Sequence, residues 1–259
     1  MRPKKSLGQN FLMHQRIADR IADTAALTKD AVVLEVGPGT GMLTRALLTR
    51  AKKVLAIEAD AELVEVLKTE FEKELADGTL ELLHQDIRQF DLSSLSEPYS
   101  VVANIPYYIT GELFRYFLSA SHKPVSMTLL VQKEVAVRVA REKKESLLSL
   151  SIKAYGSPAY AFTVPRGAFR PAPNVDSAVL HISDIRQDAF ASIEQEKAFF
   201  EVLKAGFAHK RKLLAGNLSD LASKERVHEA FESVGIAEKA RAEDVQLPTW
   251  KRLAEKLLI

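Results

Sequence analysis

Three acidic residues and one asparagine–isoleucine–proline–tyrosine run are the side chains of this sequence best spaced to do chemistry. The apolar run Val32–Val36 (VVLEV) leads straight into Gly37-Pro38-Gly39-Thr40-Gly41. A glycine turn between a strand and a helix lets a ligand approach the backbone closely. Because position 42 is Met, the spacing is G-x-G-x-G and not the G-x-G-x-x-G of dinucleotide binding. Glu35, two residues before the first glycine, would repel a pyrophosphate and suits a cation. Glu58 closes the next apolar run, where a carboxylate can accept from both ribose hydroxyls. Asp86 follows a third run and is placed to accept from an adenine amino group. Ammonium, ribose and adenine together describe S-adenosylmethionine. Taken singly, Glu58 reads as a solvated strand end and Asp86 as a cap on the turn at Ile87. Their coincidence with the glycine turn favours the ligand.

A fourth apolar run ends in Asn104-Ile105-Pro106-Tyr107, followed by Tyr108. The exocyclic amine of adenine is a poor nucleophile, since its lone pair is delocalised into the ring. Two acceptors aimed at its hydrogens, the Asn104 side-chain oxygen and the Ile105 carbonyl, would favour a pyramidal nitrogen with its lone pair free. Pro106 fixes its own φ and pushes Ile105 into an extended conformation, presenting that carbonyl. Tyr107 can stack on the base. No general base is needed, because the nitrogen becomes acidic once alkylated. The plainer reading of the run is an ordinary strand-to-helix turn.

The elements that must carry these residues are legible as alternation. Val32–Val36, Val54–Glu58, Leu80–His84, Val101–Asn104 and Met127–Val131 read as strands. Between them lie helical periods, such as Leu63, Val64, Leu67 and Phe71, and a helix over Met42–Arg50. This pattern predicts βαβ units and a mostly parallel sheet with helices on both faces. A β-rich stretch is expected from about Leu147 to Ile182, interrupted by the proline-rich FRPAPNV. From about Gln195 the pattern is wholly helical, with Phe199, Phe200, Leu203 and Phe207 in one stripe and Trp250, Leu253 and Leu257 in another. We therefore expect an α/β domain over residues 1–185 and a small all-helical domain over 186–259.

Composition narrows the chemistry further. The 259 residues are 47% hydrophobic and 27% charged, as in a globular protein, and none is cysteine. That removes disulfides, thiolate metal sites and a cysteine nucleophile, and with it cytosine-C5 methylation. The six histidines are scattered without metal-ligand spacing, so no metal is expected. No apolar run is long enough to span a membrane and no secretory signal is visible, which predicts a soluble, cytoplasmic protein. Net charge is only +2, so binding of nucleic acid must rest on local clusters. Lys204, Lys210, Arg211 and Lys212, with His209, form one in a C-terminal part whose net charge, the cluster included, is zero. A solvated helix end is the ordinary explanation, and an RNA-phosphate surface the functional one.

The sequence resembles the ribosomal RNA adenine-N6,N6-dimethyltransferases, in particular the small-subunit enzymes of the kasugamycin-sensitivity type. The likeness runs through SLGQNFL (6–12), EVGPGTGMLT (35–44), IEAD (57–60), QDI (85–87), NIPYYIT (104–110) and LVQKEVAVR (130–138). It continues in FRPAPNVDSAV (169–179), GFAHKRKLLAGNL (206–218) and RAEDVQLPTW (241–250). The resemblance implies a Rossmann-like class I methyltransferase domain followed by a helical RNA-binding domain. It implies a cofactor set of Asn10, Leu12, Glu35, Gly37, Gly39, Gly41, Glu58, Ala59, Asp86, Ile87 and Asn104. Asn104, Ile105, Pro106 and Tyr107 would form the catalytic turn, with Phe169 on the second face of the adenine. The implied reaction is dimethylation of two adjacent adenosines near the 3′ end of small-subunit (16S) rRNA in a pre-30S particle, during ribosome biogenesis, by a monomer. Departures are small: Arg2, Lys4 and Lys5 are the only basic residues ahead of the first motif, and Lys210 stands before Arg211-Lys212, keeping charge but losing bidentate geometry. The alternatives are a large-subunit dimethyltransferase of the macrolide-resistance type and a non-catalytic assembly or transcription factor on the same fold. A nicotinamide-dependent dehydrogenase is disfavoured by the glycine spacing.

Overall fold

A computed structural model describes residues 8–259; Arg2, Lys4, Lys5, Ser6 and Leu7 lie outside the described residues. The chain divides into two compact units: one runs to Ala140 and resumes over Gly156–Gln187, the other comprises Arg141–Tyr155 and Asp188–Ile259.

The first unit is built on a seven-stranded sheet in the order β4-β3-β2-β5-β6-β9-β7. Its strands are β2 (Val32–Val36), β3 (Lys53–Glu58), β4 (Leu80–His84), β5 (Tyr99–Asn104), β6 (Ser126–Gln132), β7 (Ser157–Val164) and β9 (Ser177–Ser183). β2 through β6 run parallel, and β9 enters antiparallel between β6 and β7. Their continuous apolar runs follow from burial on both faces, as parallel strands require. Helices α1 (Gln15–Thr24), α2 (Met42–Leu48), α3 (Ala61–Glu70), α4 (Glu72–Ala76), α5 (Thr110–Leu118) and α6 (Lys133–Ala140) complete the layers. On one face Ile21 and Leu47 pack with Val33, Val54, Leu67 and Phe71 in a single apolar cluster. A separate ribbon pairs β1 (Phe11–Leu12) antiparallel with β8 (Phe169–Arg170).

Strand order reverses beside β2: the chain leaves it towards β3 and β4, then returns to its other side as β5. In open α/β sheets, a crevice opens outside the carboxyl ends of the strands at such a point. The glycine turn and Asn104 stand on its two sides.

The second unit is helical: α7 (Leu147–Lys153), α8 (Ile193–Gly206), α9 (Leu214–Leu218), α10 (Lys224–Val234) and α11 (Leu247–Leu258). Trp250, Leu253, Phe199 and Leu203 are buried in it. At Gly206 an added Cβ would stand 2.4 Å from Trp250 Cη2, so only glycine lets α8 and α11 approach this closely.

Two expectations need correction. The stretch from Leu147 is not β-rich at its start: Leu147–Lys153 is a helix, opened by a capping box between Ser146 and Ser149. Its Lys153 pairs with the buried Glu145 at 2.8 Å, and the Glu145 N–H donates to the Glu243 carbonyl at 2.8 Å, which ties the segment to the helical unit. The expected boundary at 185/186 therefore describes only the last of three places where the chain passes between units, at 187/188.

Candidate active site

The register of the sheet sets the geometry. Val36 lies level with Ile57 on β3 and Ala103 on β5, so the residues that follow, Gly37, Glu58 and Asn104, emerge together. They line one pocket with Asn10, Leu12, Glu35, Gly39, Ala59, Asp86, Ile87, Ile105, Pro106 and Tyr107. The sequence singles out all of these.

Gly41 and Phe169 are expected site residues that do not line the pocket. Gly41 has φ +81 and caps α2; a Cβ there would meet Phe71 at 2.4 Å, so its hydrogen serves close packing of the turn. Gly37, at φ +67, has open space where its side chain would be. Phe169 is 4% exposed and packs in the apolar cluster, opposite Leu12 in the β1–β8 ribbon.

Glu35 is the most unusual group. It is 1% exposed, and neither carboxylate oxygen has a hydrogen-bond partner among the described residues. Burial pushes its pKa up to about 8; the nearby Thr44 hydroxyl relieves this in part, and the neighbouring Glu58 adds to it. An unpaired carboxyl lining a pocket is a group waiting for a donor or a cation.

Glu58 is buried too, which removes the reading of a solvated strand end. Its Oε2 accepts from the Gly39 N–H at 3.1 Å and its Oε1 from the Asp60 N–H at 2.9 Å. Burial raises its pKa, opposed by these backbone donors. Glu58 thus fixes the glycine turn, and each oxygen keeps a lone pair for a ligand hydroxyl. Asp86 caps the short turn at Ile87–Gln89 through the Arg88 N–H, at 3.0 Å, and also binds the Arg88 guanidinium. The Arg88 side chain holds its carboxyl below the usual aspartate range. The capping reading of Asp86 therefore holds, and any ligand at this carboxylate would share it with Arg88.

At the other wall, Asn104 Nδ2 donates one of its two N–H groups to the Asn10 carbonyl at 3.1 Å, which orients the amide and leaves Oδ1 as an acceptor. No described residue donates to the Ile105 carbonyl. Pro106 has φ −58 and ψ 133, and Tyr107 begins a short turn after it. The Tyr107 hydroxyl is tied to Ser177 Oγ at 2.6 Å, fixing the ring edge. Sequence reasoning gives Ser177 no role, although it lies inside FRPAPNVDSAV. It likewise misses the Asn10 carbonyl and Arg88, whose contributions depend on tertiary proximity.

Lys204, Lys210, Arg211 and Lys212 are all exposed. α8 ends at Gly206, so the last three form a turn beyond the helix. The buried Asn217 holds that turn, donating to the carbonyls of Gly206 at 2.6 Å and His209 at 3.1 Å. Among the described residues no cluster of three or more His, Asp and Glu could hold a metal ion, and no helix is long and apolar enough to cross a membrane.

Sheet order, glycine turn and strand-end carboxylates define a Rossmann-like methyltransferase. Residues 1–258 match the model of the ribosomal RNA adenine dimethylase family, and the chain belongs to that family of S-adenosylmethionine-dependent enzymes. It is 39% identical over 259 residues to the ribosomal RNA small subunit methyltransferase A of Dehalococcoides mccartyi, covering 98% of this chain and 88% of the relative. Among solved structures it is similar to a dimethyladenosine transferase from Plasmodium falciparum, with TM-score 0.80 and 25% identity over 94% of this chain and 95% of the other. It is also similar to the 23S rRNA methyltransferase ErmE, with TM-score 0.77 and 28% identity over 96% of this chain and 99% of the other.

Proposed function

We propose that the chain dimethylates N6 of two adjacent adenosines near the 3′ end of small-subunit rRNA, using S-adenosylmethionine, on a pre-30S particle. The observation that carries this reading is Asn104, whose amide is oriented by its bond to the Asn10 carbonyl and whose oxygen is free to accept. S-adenosylmethionine, when bound, supplies an electrophilic methyl on a sulfonium. Glu35 meets its ammonium, Glu58 its ribose and Asp86 its adenine, with Asn10, Leu12, Gly37, Gly39, Ala59 and Ile87 around them and Gly41 setting the turn. The unpartnered Glu35 carboxyl supports this fit, because a cation is what its burial lacks.

Asn104 Oδ1 and the Ile105 carbonyl accept from the amine of the target adenosine and orient its lone pair. Pro106 sets the turn and Tyr107 stacks on the base. Positioning is the source of rate, since attack on a methyl is in-line and needs no covalent help from the protein. The proton lost by the methylated amine goes to water. Phe169 reaches the base only if the β1–β8 ribbon opens. Lys204, Lys210, Arg211 and Lys212 contact RNA phosphate, and the chain acts as a cytoplasmic monomer.

The small-subunit reading is supported by the higher identity to the small-subunit relative, 39% against 28% for the 23S enzyme. The test is mass spectrometry of the 3′ end of small-subunit rRNA from cells with and without this protein. We expect two dimethyladenosines that vanish on deletion and return with the wild-type chain but not with Asn104→Ala. Unchanged rRNA after deletion overturns the assignment.

A further inference from the structure

We infer that Tyr108 is the stacking platform for the nucleotide next to the adenosine being methylated. The inference rests on the dimethylation reading above. Tyr108 lines the pocket beside Tyr107, and 64% of it is exposed. It is the only aromatic among the exposed large hydrophobic side chains of the described residues. The two tyrosines are differently held. The Tyr107 hydroxyl is bonded to Ser177 and its ring is half-buried, whereas the Tyr108 side chain is exposed. Gly8, at φ +60, comes so close that an added Cβ would stand 3.1 Å from Tyr108 Cε1 and 3.4 Å from Pro106 Cβ. Gly8 thus stands against one edge of the Tyr108 ring, and most of the side chain is exposed. The adjacent Arg88 is half-exposed on the same wall; Asp86 occupies its Nε and Nη2, which leaves Nη1 for the linking phosphate.

An adenosine that enters a pocket leaves the stack it shared with its neighbour. That neighbour then has a bare face at the pocket rim. An ordered, exposed aromatic at the rim restores the lost stacking, and does so for any base because every base has a π-face.

The experiment uses 30S particles reconstituted with small-subunit rRNA in which both target adenosines are intact, or in which one is replaced by an abasic residue. kcat/KM is measured for wild type, Tyr108→Ala and Tyr108→Phe. On the intact particle, Tyr108→Ala is expected to lose roughly ten-fold, mainly in KM, and Tyr108→Phe to retain wild-type values. On the abasic particle the wild-type and Ala values should converge, since there is no base left to stack. An equal Ala defect on both particles, the signature of a purely structural role, overturns the inference. So does an undiminished Ala variant on the intact particle. Wild-type enzyme inactive on the intact particle instead overturns the dimethylation reading itself.

Discussion

Asn104 and Glu35 owe their behaviour to what surrounds them, and each yields a direct measurement. Replacing Asn104 with Ala would remove the acceptor proposed to orient the amine. Methyl transfer at saturating RNA and methyl donor should fall by at least 100-fold, with the circular dichroism spectrum unchanged; turnover within ten-fold of wild type sinks the mechanism. Glu35 makes itself felt through pH. Its carboxyl moves from an ordinary 4.5 to about 8 on folding, so between those values the folded chain keeps a proton that the unfolded chain releases. Stability from this group is full below pH 4.5, declines as pH rises towards 8, and is level beyond. Glu35→Gln should flatten that decline, gaining on the order of a few kcal/mol at pH 8.5 in urea unfolding while weakening S-adenosylmethionine binding. Calorimetry of the wild type near pH 7 in buffers of different ionisation enthalpy should register a proton released as the methyl donor binds. At this scale the sequence already names Glu35, Glu58 and Asn104 from strand-end position. The burial of both glutamates and the bond to Asn10 are not legible, because they arise from residues far apart in the chain.

The elements tell a similar story with one reversal. The five parallel strands announce themselves as short apolar runs ending in polar or turn residues, and the glycine turn marks where β2 gives way to α2. α7 escapes such a reading because Leu147–Lys153 is short and apolar, and periodicity alone does not separate such a run from a buried strand. Its signal is the serine pair, 146 and 149, that forms the capping box. The β1–β8 ribbon, two residues on each strand, is below what any pattern reveals. It buries Phe169 opposite Leu12. Phe169→Ala should therefore cost roughly 3–5 kcal/mol of stability, as truncation of a buried phenylalanine does. Urea unfolding checks this, with methyl transfer scored per folded molecule. Lost transfer at undiminished stability would restore contact with the base.

For the whole molecule, the two-unit division shows in the change from alternating to purely helical pattern, whereas the passage of residues 141–155 into the helical unit does not. Charge behaves likewise. The net value of +2 hides a local concentration, three exposed basic residues in a turn that Asn217 holds in place. Lys210, Arg211 and Lys212 replaced together by Ala should weaken binding to 30S particles and flatten the log–log salt dependence by roughly 1 for each phosphate no longer neutralised. Affinity for S-adenosylmethionine should hold, as the pocket proposed for it is lined by the α/β unit. An unaltered salt slope moves the RNA surface elsewhere, first to the basic residues between Lys133 and Lys144.

The place of β9 in the sheet has a consequence for how the protein is made. β7 has β9 as its only neighbour in the sheet, and β9 is also what joins it to β6. A ribosome that has released β7 but not yet residues 177–183 therefore holds an α/β unit with an unpaired strand and an open edge on β6, the kind of surface that invites wrong pairing. The segment 141–155 waits longer still, since its partners in the helical unit begin only at Asp188. The sheet is thus complete only once residue 183 has left the ribosome, and the second unit only once α11 has followed it.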